Sequence, residues 1–174
     1  KNNNVSVAYF SATYTTQKIV RQIAQTIKPS FKEYDITRKS IGENVYFDTN
    51  DLLIVGVPVY AGRIPSKAAK ELEYLKGNDT PILLVVVYGN RAYEDALVEL
   101  KDIVENNFFR VVSAGAFIGR HSIFHPIAPN RPDISDLTSA SEFAQASVAI
   151  IREARDTNQL SPIDIPGNRA YKPH

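Results

Sequence analysis

Short apolar runs alternate with helical hydrophobic patterns along most of this sequence, and this alternation restricts the fold more than any other feature. Five runs have the length and β-branched character of strands, namely residues 5–10, 31–36, 52–59, 81–88 and 111–118. Apolar residues recur at the three- and four-residue spacing of amphipathic helices over residues 14–27, 64–76, 93–105 and 136–155. Strands that alternate with helices in this way are typical of α/β proteins.

The central strands predict how the sheet is covered. The runs at 52–59 and 81–88 are apolar almost without interruption, as expected for parallel strands that helices cover on both faces. Right-handed crossovers leave few arrangements for such a sheet. At 174 residues the chain has the length of one domain. We therefore predict an α/β fold with a doubly wound, five-stranded parallel sheet in the order 2-1-3-4-5.

Composition excludes several classes of function. A net charge of +1 gives no overall field that would attract nucleic acid or an anionic membrane. The apolar runs are far shorter than the roughly 20 residues of a membrane-spanning helix. Because there is no cysteine, this chain itself cannot supply a thiolate nucleophile, a disulfide or the thiolate ligands of an iron–sulfur cluster. We expect a cytoplasmic protein in which any redox chemistry comes from a bound cofactor.

The loop after the first strand is a candidate phosphate site. In open α/β sheets, ligands bind at the carboxyl ends of the strands beside the point where the strand order reverses, which here is the first strand. Hydroxyl groups and the backbone N–H groups at the start of a helix bind a phosphate through neutral donors and the helix dipole. The alternative is that these hydroxyls only cap the helix. The candidate residues are Ser11, Thr13, Tyr14, Thr15 and Thr16.

Two motifs are missing from this loop, and their absence reduces the number of ligand classes that it could bind. The loop has neither the G-x-G-x-x-G pattern of a dinucleotide site nor the G-x-x-x-x-G-K-[ST] pattern of a nucleotide triphosphatase. Without those glycines a pyrophosphate cannot approach the backbone closely. The pattern therefore favours a single phosphate, as in FMN, over a dinucleotide such as FAD.

Two further loops follow the third and fourth strands and could hold a flat ring. Tyrosines there offer aromatic faces to a heterocycle, and glycines let the backbone present N–H and C=O groups to its polar rim. The alternative is that the tyrosines pack against the edge of the sheet and the glycines form ordinary turns. The candidates are Pro58, Val59, Tyr60, Ala61 and Gly62 in the first of these loops, and Tyr88, Gly89, Asn90, Arg91 and Tyr93 in the second.

These three loops together resemble those of a known family. The pattern S-x-T-x-T-T after the first strand is similar to the phosphate loop of flavodoxins. The phrases VPVYAGRIP, VVVYGNRAYEDAL and AGAFIGRHS resemble the flavodoxin module of bacterial and archaeal proteins in which that module is fused to a ferredoxin module with two 4Fe–4S clusters. The resemblance implies a flavodoxin-like domain over residues 1–156. It implies that residues 157–174 are a linker or C-terminal tail leading to a ferredoxin module that this sequence does not contain.

The same resemblance assigns roles to the candidate residues. It implies an electron-transfer module that binds FMN and exchanges electrons with a ferredoxin-type iron–sulfur domain or protein, in cis or in trans. By analogy, Tyr60 and Tyr93 flank the ring, and the backbone at Ala61 and Gly62 faces N5 of the flavin. Gly89 and Asn90 then contact the pyrimidine edge of the ring. A reduced, anionic flavin gains from positive charge, so Arg63 and Arg91 are either tuning charges or solvated surface arginines.

Other functions remain open at this point. An NAD(P)H-dependent flavin or quinone reductase would use the same FMN site but would need a second pocket, for which only residues 119–135 are available. A flavin-free interaction domain is the other alternative. His121 and His125 lie in a proline-containing loop without a carboxylate between them, so we predict no metal site. We predict no catalytic residue.

Overall fold

A computed structural model of the chain describes residues 4–11, 15–88, 94–118 and 134–153. The elements are β1 (Asn4–Tyr9), α1 (Thr15–Ile27), β2 (Lys32–Asp35), β3 (Val45–Tyr46), β4 (Asp51–Pro58), α2 (Ser66–Leu72), β5 (Leu75–Lys76), β6 (Thr80–Tyr88), α3 (Glu94–Asn106), β7 (Phe109–Ile118) and α4 (Ile134–Glu153). The following predicted features lie outside the described residues: Thr13, Tyr14, Gly89, Asn90, Arg91, Tyr93, His121, His125 and the tail 157–174.

The main sheet has five parallel strands in the order β2-β1-β4-β6-β7. Since β4, β6 and β7 are the third, fourth and fifth strands of this sheet along the chain, the predicted order 2-1-3-4-5 is confirmed. In the sheet, β2 lies on one side of β1, whereas β4, β6 and β7 lie on its other side. The strand order therefore reverses between β1 and β4. The carboxyl ends of these two neighbouring strands are where a ligand is expected in this fold.

Side chains alternate between two apolar clusters, one on each face of the sheet. On β4, Leu53 and Val55 point into a cluster with residues of α2 and α3, whereas Leu52 and Ile54 point into a cluster with residues of α1 and α4. All four of these side chains are fully buried. The prediction that helices cover the central strands on both faces is confirmed, and it explains why these strands lack the polar alternation of a half-exposed sheet.

The predicted helix at 64–76 is wrong in its second half. The helix α2 ends at Leu72, and Leu75–Lys76 forms the short strand β5, which pairs in parallel with β3 in a separate two-stranded sheet. The Val45 N–H donates to the Tyr74 carbonyl at 2.8 Å, and the Phe47 N–H donates to the Lys76 carbonyl at 2.9 Å. This pairing with a distant segment outweighs the local helical preference. Leu75 is buried, but it reaches the core from a strand.

The helix α1 lies directly against β4 at a glycine. A Cβ atom on Gly56 would be 2.3 Å from Val20 Cγ1 and 2.9 Å from Thr16 Cγ2, closer than real atoms approach. The absence of a side chain at this position therefore lets the first turns of α1 rest on the strand. Thr16, in the candidate phosphate site, is thereby held against the sheet.

The described helices also bear on membrane insertion. None of the helices in the described ranges is both long and apolar enough to cross a bilayer.

Candidate functional site

The candidate residues that the structure describes follow neighbouring strands at one edge of the sheet. The Phe10 N–H donates to the Gly56 carbonyl at 3.1 Å, which fixes the end of β1 beside β4. Ser11 comes directly after this contact, and Thr15 and Thr16 begin α1. Tyr60, Ala61 and Gly62 follow β4, the adjacent strand, and Tyr88 ends β6, the next one. The carboxyl edge thus combines the predicted phosphate residues with the predicted ring residues.

Ser11 caps the helix that follows it. Its hydroxyl oxygen accepts a hydrogen bond from the Gln17 backbone N–H at 3.0 Å, so the capping interpretation applies to this residue. The Ser11 backbone N–H donates to Thr37 Oγ1 at 2.9 Å. A serine hydroxyl carries one donor besides its acceptor lone pairs. Capping uses the oxygen as an acceptor, and among the described residues the Ser11 hydroxyl hydrogen has no acceptor.

Thr15 and Thr16 place two hydroxyls in the first turn of α1. Both residues are almost fully buried, with 2% and 3% of their surface exposed. Within the described part of the chain, the Thr16 hydroxyl forms no hydrogen bond, which is unusual for a buried polar group. The first turn of α1 also contains no acidic side chain that would repel an anion. These features fit a phosphate group, whose oxygens would supply the missing hydrogen-bond partner.

A network of side chains fixes the start of α1 to the sheet. The Tyr9 hydroxyl donates to Glu33 Oε1 at 3.0 Å and accepts from Gln17 Nε2 at 2.8 Å. Arg21 pairs with the same Glu33 oxygen at 2.8 Å. Burial raises the pKa of Tyr9, and the Glu33 carboxylate raises it further, while the hydrogen bond from Gln17 acts in the opposite direction. Gln17, whose backbone N–H donates to the Ser11 hydroxyl, is therefore also held in place through its own side chain.

Thr37 is a further residue of this edge that the sequence analysis missed. Its hydroxyl accepts the Ser11 N–H, and its own N–H donates to Asp35 Oδ1 at 2.9 Å. The Lys67 ammonium donates to the carbonyl of the preceding Ile36 at 3.0 Å. The only sequence signal for Thr37 was its position. Thr37 follows the second strand, and the carboxyl ends of parallel strands lie at the same edge of the sheet.

A tight turn after β4 carries the predicted ring residues. The Tyr60 N–H donates to the Arg63 carbonyl at 2.7 Å, and the Arg63 N–H donates to the Tyr60 carbonyl at 2.9 Å. The two residues between them have positive φ angles, 51° at Ala61 and 81° at Gly62. Two-residue turns of this kind usually contain Asn-Gly or Gly-Gly. An alanine in the left-handed region costs about 1–2 kcal/mol, so surrounding contacts must hold the turn.

Tyr60 presents an aromatic side chain at this edge. It is 37% exposed, and partial burial raises the pKa of its hydroxyl. By contrast, Val59 is buried in the core, and Tyr88 packs partly against the core cluster beside α2 and α3. Pro58 is half-buried and Ala61 is exposed. In the described part of this edge, Tyr60 is thus the aromatic side chain that a planar ring could contact.

Arg63 is not a solvated surface arginine, which was one of the two interpretations that the sequence left open. Its guanidinium binds both carboxylate oxygens of Glu99, with Nε to Oε1 and Nη2 to Oε2 at 2.7 Å each. Only 9% of Arg63 and 4% of Glu99 is exposed. The sequence analysis missed Glu99, although a signal existed, because this charged residue lies on the apolar face of the predicted helix 93–105, three residues after Ala96.

No family model and no curated protein sequence matches this chain. Solved structures do, including an oxidised flavodoxin from Bacillus cereus, with 13% identity and a TM-score of 0.58 over 84% of this chain and 98% of the other. The chain has the flavodoxin fold. At this level of identity the likeness is one of fold, and it agrees with the observed strand order.

Two larger proteins contain a similar flavodoxin fold. A flavodiiron core from Synechocystis sp. matches 87% of this chain with 15% identity and a TM-score of 0.59. The rubredoxin oxygen:oxidoreductase of Desulfovibrio gigas also matches 87%, with 17% identity and a TM-score of 0.58. The chain spans 36% and 37% of the lengths of these two proteins.

Within residues 4–11, 15–88, 94–118 and 134–153, no three histidine, aspartate or glutamate side chains come together as metal ligands would. The candidate residues of the edge supply hydroxyls, backbone amides and the aromatic side chain of Tyr60, a set that suits an organic phosphate with an aromatic part.

Proposed function

We propose that the chain is an FMN-binding electron-transfer module. The observation that carries this proposal is the placement of two complementary features on neighbouring strands of one edge. The buried Thr16 hydroxyl, which forms no hydrogen bond with any described residue, lies in the first turn of α1 after β1, and a tight turn with the partly exposed Tyr60 follows β4. A phosphate and an aromatic ring in one ligand would engage both features. The flavodoxin fold supports the same assignment, because flavodoxins of known structure share it.

The first residues of α1 and the residues that precede it would bind the phosphate. Thr15, Thr16 and the Ser11 hydroxyl hydrogen would donate to its oxygens, together with the positive end of the α1 dipole. Thr13 and Tyr14 belong to the same proposed set. Because these donors are neutral, binding relies on hydrogen bonds and the helix dipole.

The loops after β4 and β6 would hold the ring. Tyr60 would cover one face, with Tyr93 as the proposed partner, and the backbone of Ala61 and Gly62 would face the ring edge near N5. Pro58, Val59, Tyr88, Gly89, Asn90 and Arg91 complete the proposed set. FMN supplies the redox chemistry when bound, by accepting and releasing electrons, and the protein positions it and excludes water from part of its surface.

An iron–sulfur protein or domain is the proposed exchange partner. The loop phrases resemble those of modules fused to ferredoxins, and the name of one matching protein, rubredoxin oxygen:oxidoreductase, refers to rubredoxin. The lack of cysteine in this chain is compatible with a cytoplasmic carrier that relies on a separate cluster. Mixing the reduced, FMN-loaded protein with an oxidised ferredoxin and following flavin absorbance tests this part of the proposal.

The FMN site is tested by titrating FMN and riboflavin into the flavin-free full chain and following flavin fluorescence. We expect FMN to bind more tightly than riboflavin, because only FMN carries the phosphate. Thr16→Val should weaken FMN binding by roughly 10- to 150-fold, since a hydrogen bond to a charged group contributes about 1.5–3 kcal/mol. The same substitution should leave riboflavin binding unchanged.

Thr26→Val is the matched control for this experiment. Thr26 lies in the last turn of the same helix, and its hydroxyl donates to the Gln22 carbonyl at 2.8 Å, away from the carboxyl edge. It should leave both affinities unchanged. Equal affinities for FMN and riboflavin would contradict the phosphate site, and a lack of binding by both would overturn the proposed function.

A further inference from the structure

We propose that Glu99 is a positioning residue of the ring site, which it controls by holding the turn at residues 60–63 through Arg63. This inference rests on the proposed function. The buried ion pair joins two elements, because Arg63 closes the turn after β4 and Glu99 lies in the second turn of α3. The pair therefore connects the loop after β4 with the helix that follows the loop after β6.

The geometry of the pair restricts the turn at several atoms. Glu99 accepts two hydrogen bonds from the Arg63 side chain, and Glu99 Oε1 also lies 3.4 Å from the Ile64 N–H. Two parallel N–H···O bonds fix the orientation of the guanidinium plane as well as its position. The carboxylate thus contacts both the side chain of the last turn residue and the backbone of the residue after it.

The backbone of the turn explains why such a restraint is needed. Ala61 has a positive φ of 51°, a conformation that an alanine leaves readily unless its neighbours prevent it. The two backbone hydrogen bonds between Tyr60 and Arg63 close the turn but do not anchor it to the rest of the protein. The ion pair with Glu99 anchors the Arg63 side chain to a different element, the helix α3.

Burial makes the arrangement sensitive to single substitutions. Removing one partner of a buried ion pair leaves the other charge unpaired, whereas replacing both with apolar residues of similar size can preserve stability. A double substitution therefore separates the role of the pair in stability from its role in positioning the turn. Arg63→Met combined with Glu99→Leu keeps the volume and removes both charges.

The first measurement uses the flavin-free full chain. In the double variant we expect the amide hydrogens of Tyr60 and Arg63 to exchange with solvent at least tenfold faster than in the wild type. The Val59 amide, which donates to the Val87 carbonyl at 3.0 Å, should exchange at the wild-type rate and serves as the internal control. The urea midpoint of the double variant should lie closer to that of the wild type than the midpoint of Glu99→Gln does.

The second measurement is the affinity for flavins. We expect the double variant to bind riboflavin and FMN at least tenfold more weakly and by the same factor, since the phosphate residues are untouched. The matched control is Lys101→Met with Glu105→Leu, which removes an ion pair of 2.9 Å from the same helix without touching the turn. This control should leave both affinities and the amide exchange of the turn unchanged.

Amide exchange in the turn and flavin affinity together test whether Glu99 positions the ring site. A folded double variant with wild-type amide exchange in the turn and riboflavin affinity within twofold of the wild type would show that the pair is only structural. If the double variant does not fold, Arg63→Lys gives the same readouts, because it keeps the charge but cannot form the two parallel bonds. If the wild type binds no flavin, the proposed function fails, and amide exchange still decides whether Glu99 holds the turn.

Discussion

At the scale of residues, the polar side chains of the carboxyl edge differ in how well their roles could be predicted from the sequence. The hydroxyls at 11–16 form a local cluster, so their association with a helix start could be predicted from their spacing alone. Thr37 and Glu99 could not be predicted in this way, because each acts on a residue more than 25 positions away. The ion pair of Arg63 could not be predicted for the same reason, since its partner Glu99 lies 36 residues further along the chain.

Tyr60 gives a residue-scale prediction for alkaline pH. Burial raises the pKa of Tyr60 above its usual value of 10, so between pH 10 and its folded pKa the unfolded chain loses this proton before the folded chain does. The free energy of unfolding should therefore fall as the pH rises above 10. We expect Tyr60→Phe to reduce this slope, measured by urea unfolding at several pH values between 9 and 11.

The wild-type chain is the reference for this slope. Tyr9 also has a raised pKa, so part of the slope should remain in Tyr60→Phe. A slope identical to that of the wild type in Tyr60→Phe would contradict the argument.

At the scale of elements, hydrophobic periodicity predicted the five main strands and the four helices, and the right-handed crossover rule together with the chain length predicted the strand order. The periodicity reflects burial on the two faces of the sheet, which is why it was sufficient. It failed at α2, where residues 73–76 leave the helix and Leu75–Lys76 pairs with Val45–Tyr46. A two-residue strand has too few positions to show a period, and its partner lies 30 residues away, so the small sheet could not be predicted.

Gly56 gives a prediction for the packing of α1 on β4. In Gly56→Ala the new methyl group would overlap Val20 Cγ1, and valine side chains have little freedom to move aside in a helix. We expect the free energy of unfolding to fall by about 1–3 kcal/mol, as for other overpacked cores. Since Thr16 is also displaced, FMN affinity should fall. Urea unfolding and fluorescence titration measure the two effects.

Gly42→Ala separates this effect from the general consequences of replacing a glycine. A Cβ atom on Gly42 would meet no atom within 4 Å, although its φ of 82° imposes a conformational cost. The substitution should therefore lower stability without changing FMN affinity. Stability and affinity both unchanged in Gly56→Ala would show that α1 does not depend on this close approach.

At the scale of the whole molecule, two apolar clusters fix the sheet and its helices while the edge loops carry the candidate site. The strands pass between the clusters, so one sheet supports both. A ligand at the carboxyl edge contacts loops after several strands and would connect parts of the chain that are distant in sequence. Ligand binding should therefore be measurable as stabilisation of the complete fold.

The expected stabilisation follows from mass action. At a free FMN concentration of 100 times the Kd, the free energy of unfolding should rise by about 2.7 kcal/mol, which for a chain of this length raises Tm by roughly 5–11 °C. Riboflavin at the same concentration should give a smaller rise, because it lacks the phosphate. Calorimetry of the flavin-free protein with each ligand measures both values. An FMN rise no larger than that of riboflavin would argue against the phosphate site.

Ala61, in the turn after β4, affects the entropy change of ligand binding. Its methyl group removes many backbone conformations that a glycine would permit in the unfolded chain, and the folded chain keeps Ala61 at a φ of 51° before any ligand arrives. The conformational entropy of this segment is therefore lost during folding and not during association. A site preorganised in this way presents its backbone amides at fixed positions, which favours affinity and shape selectivity over adaptability.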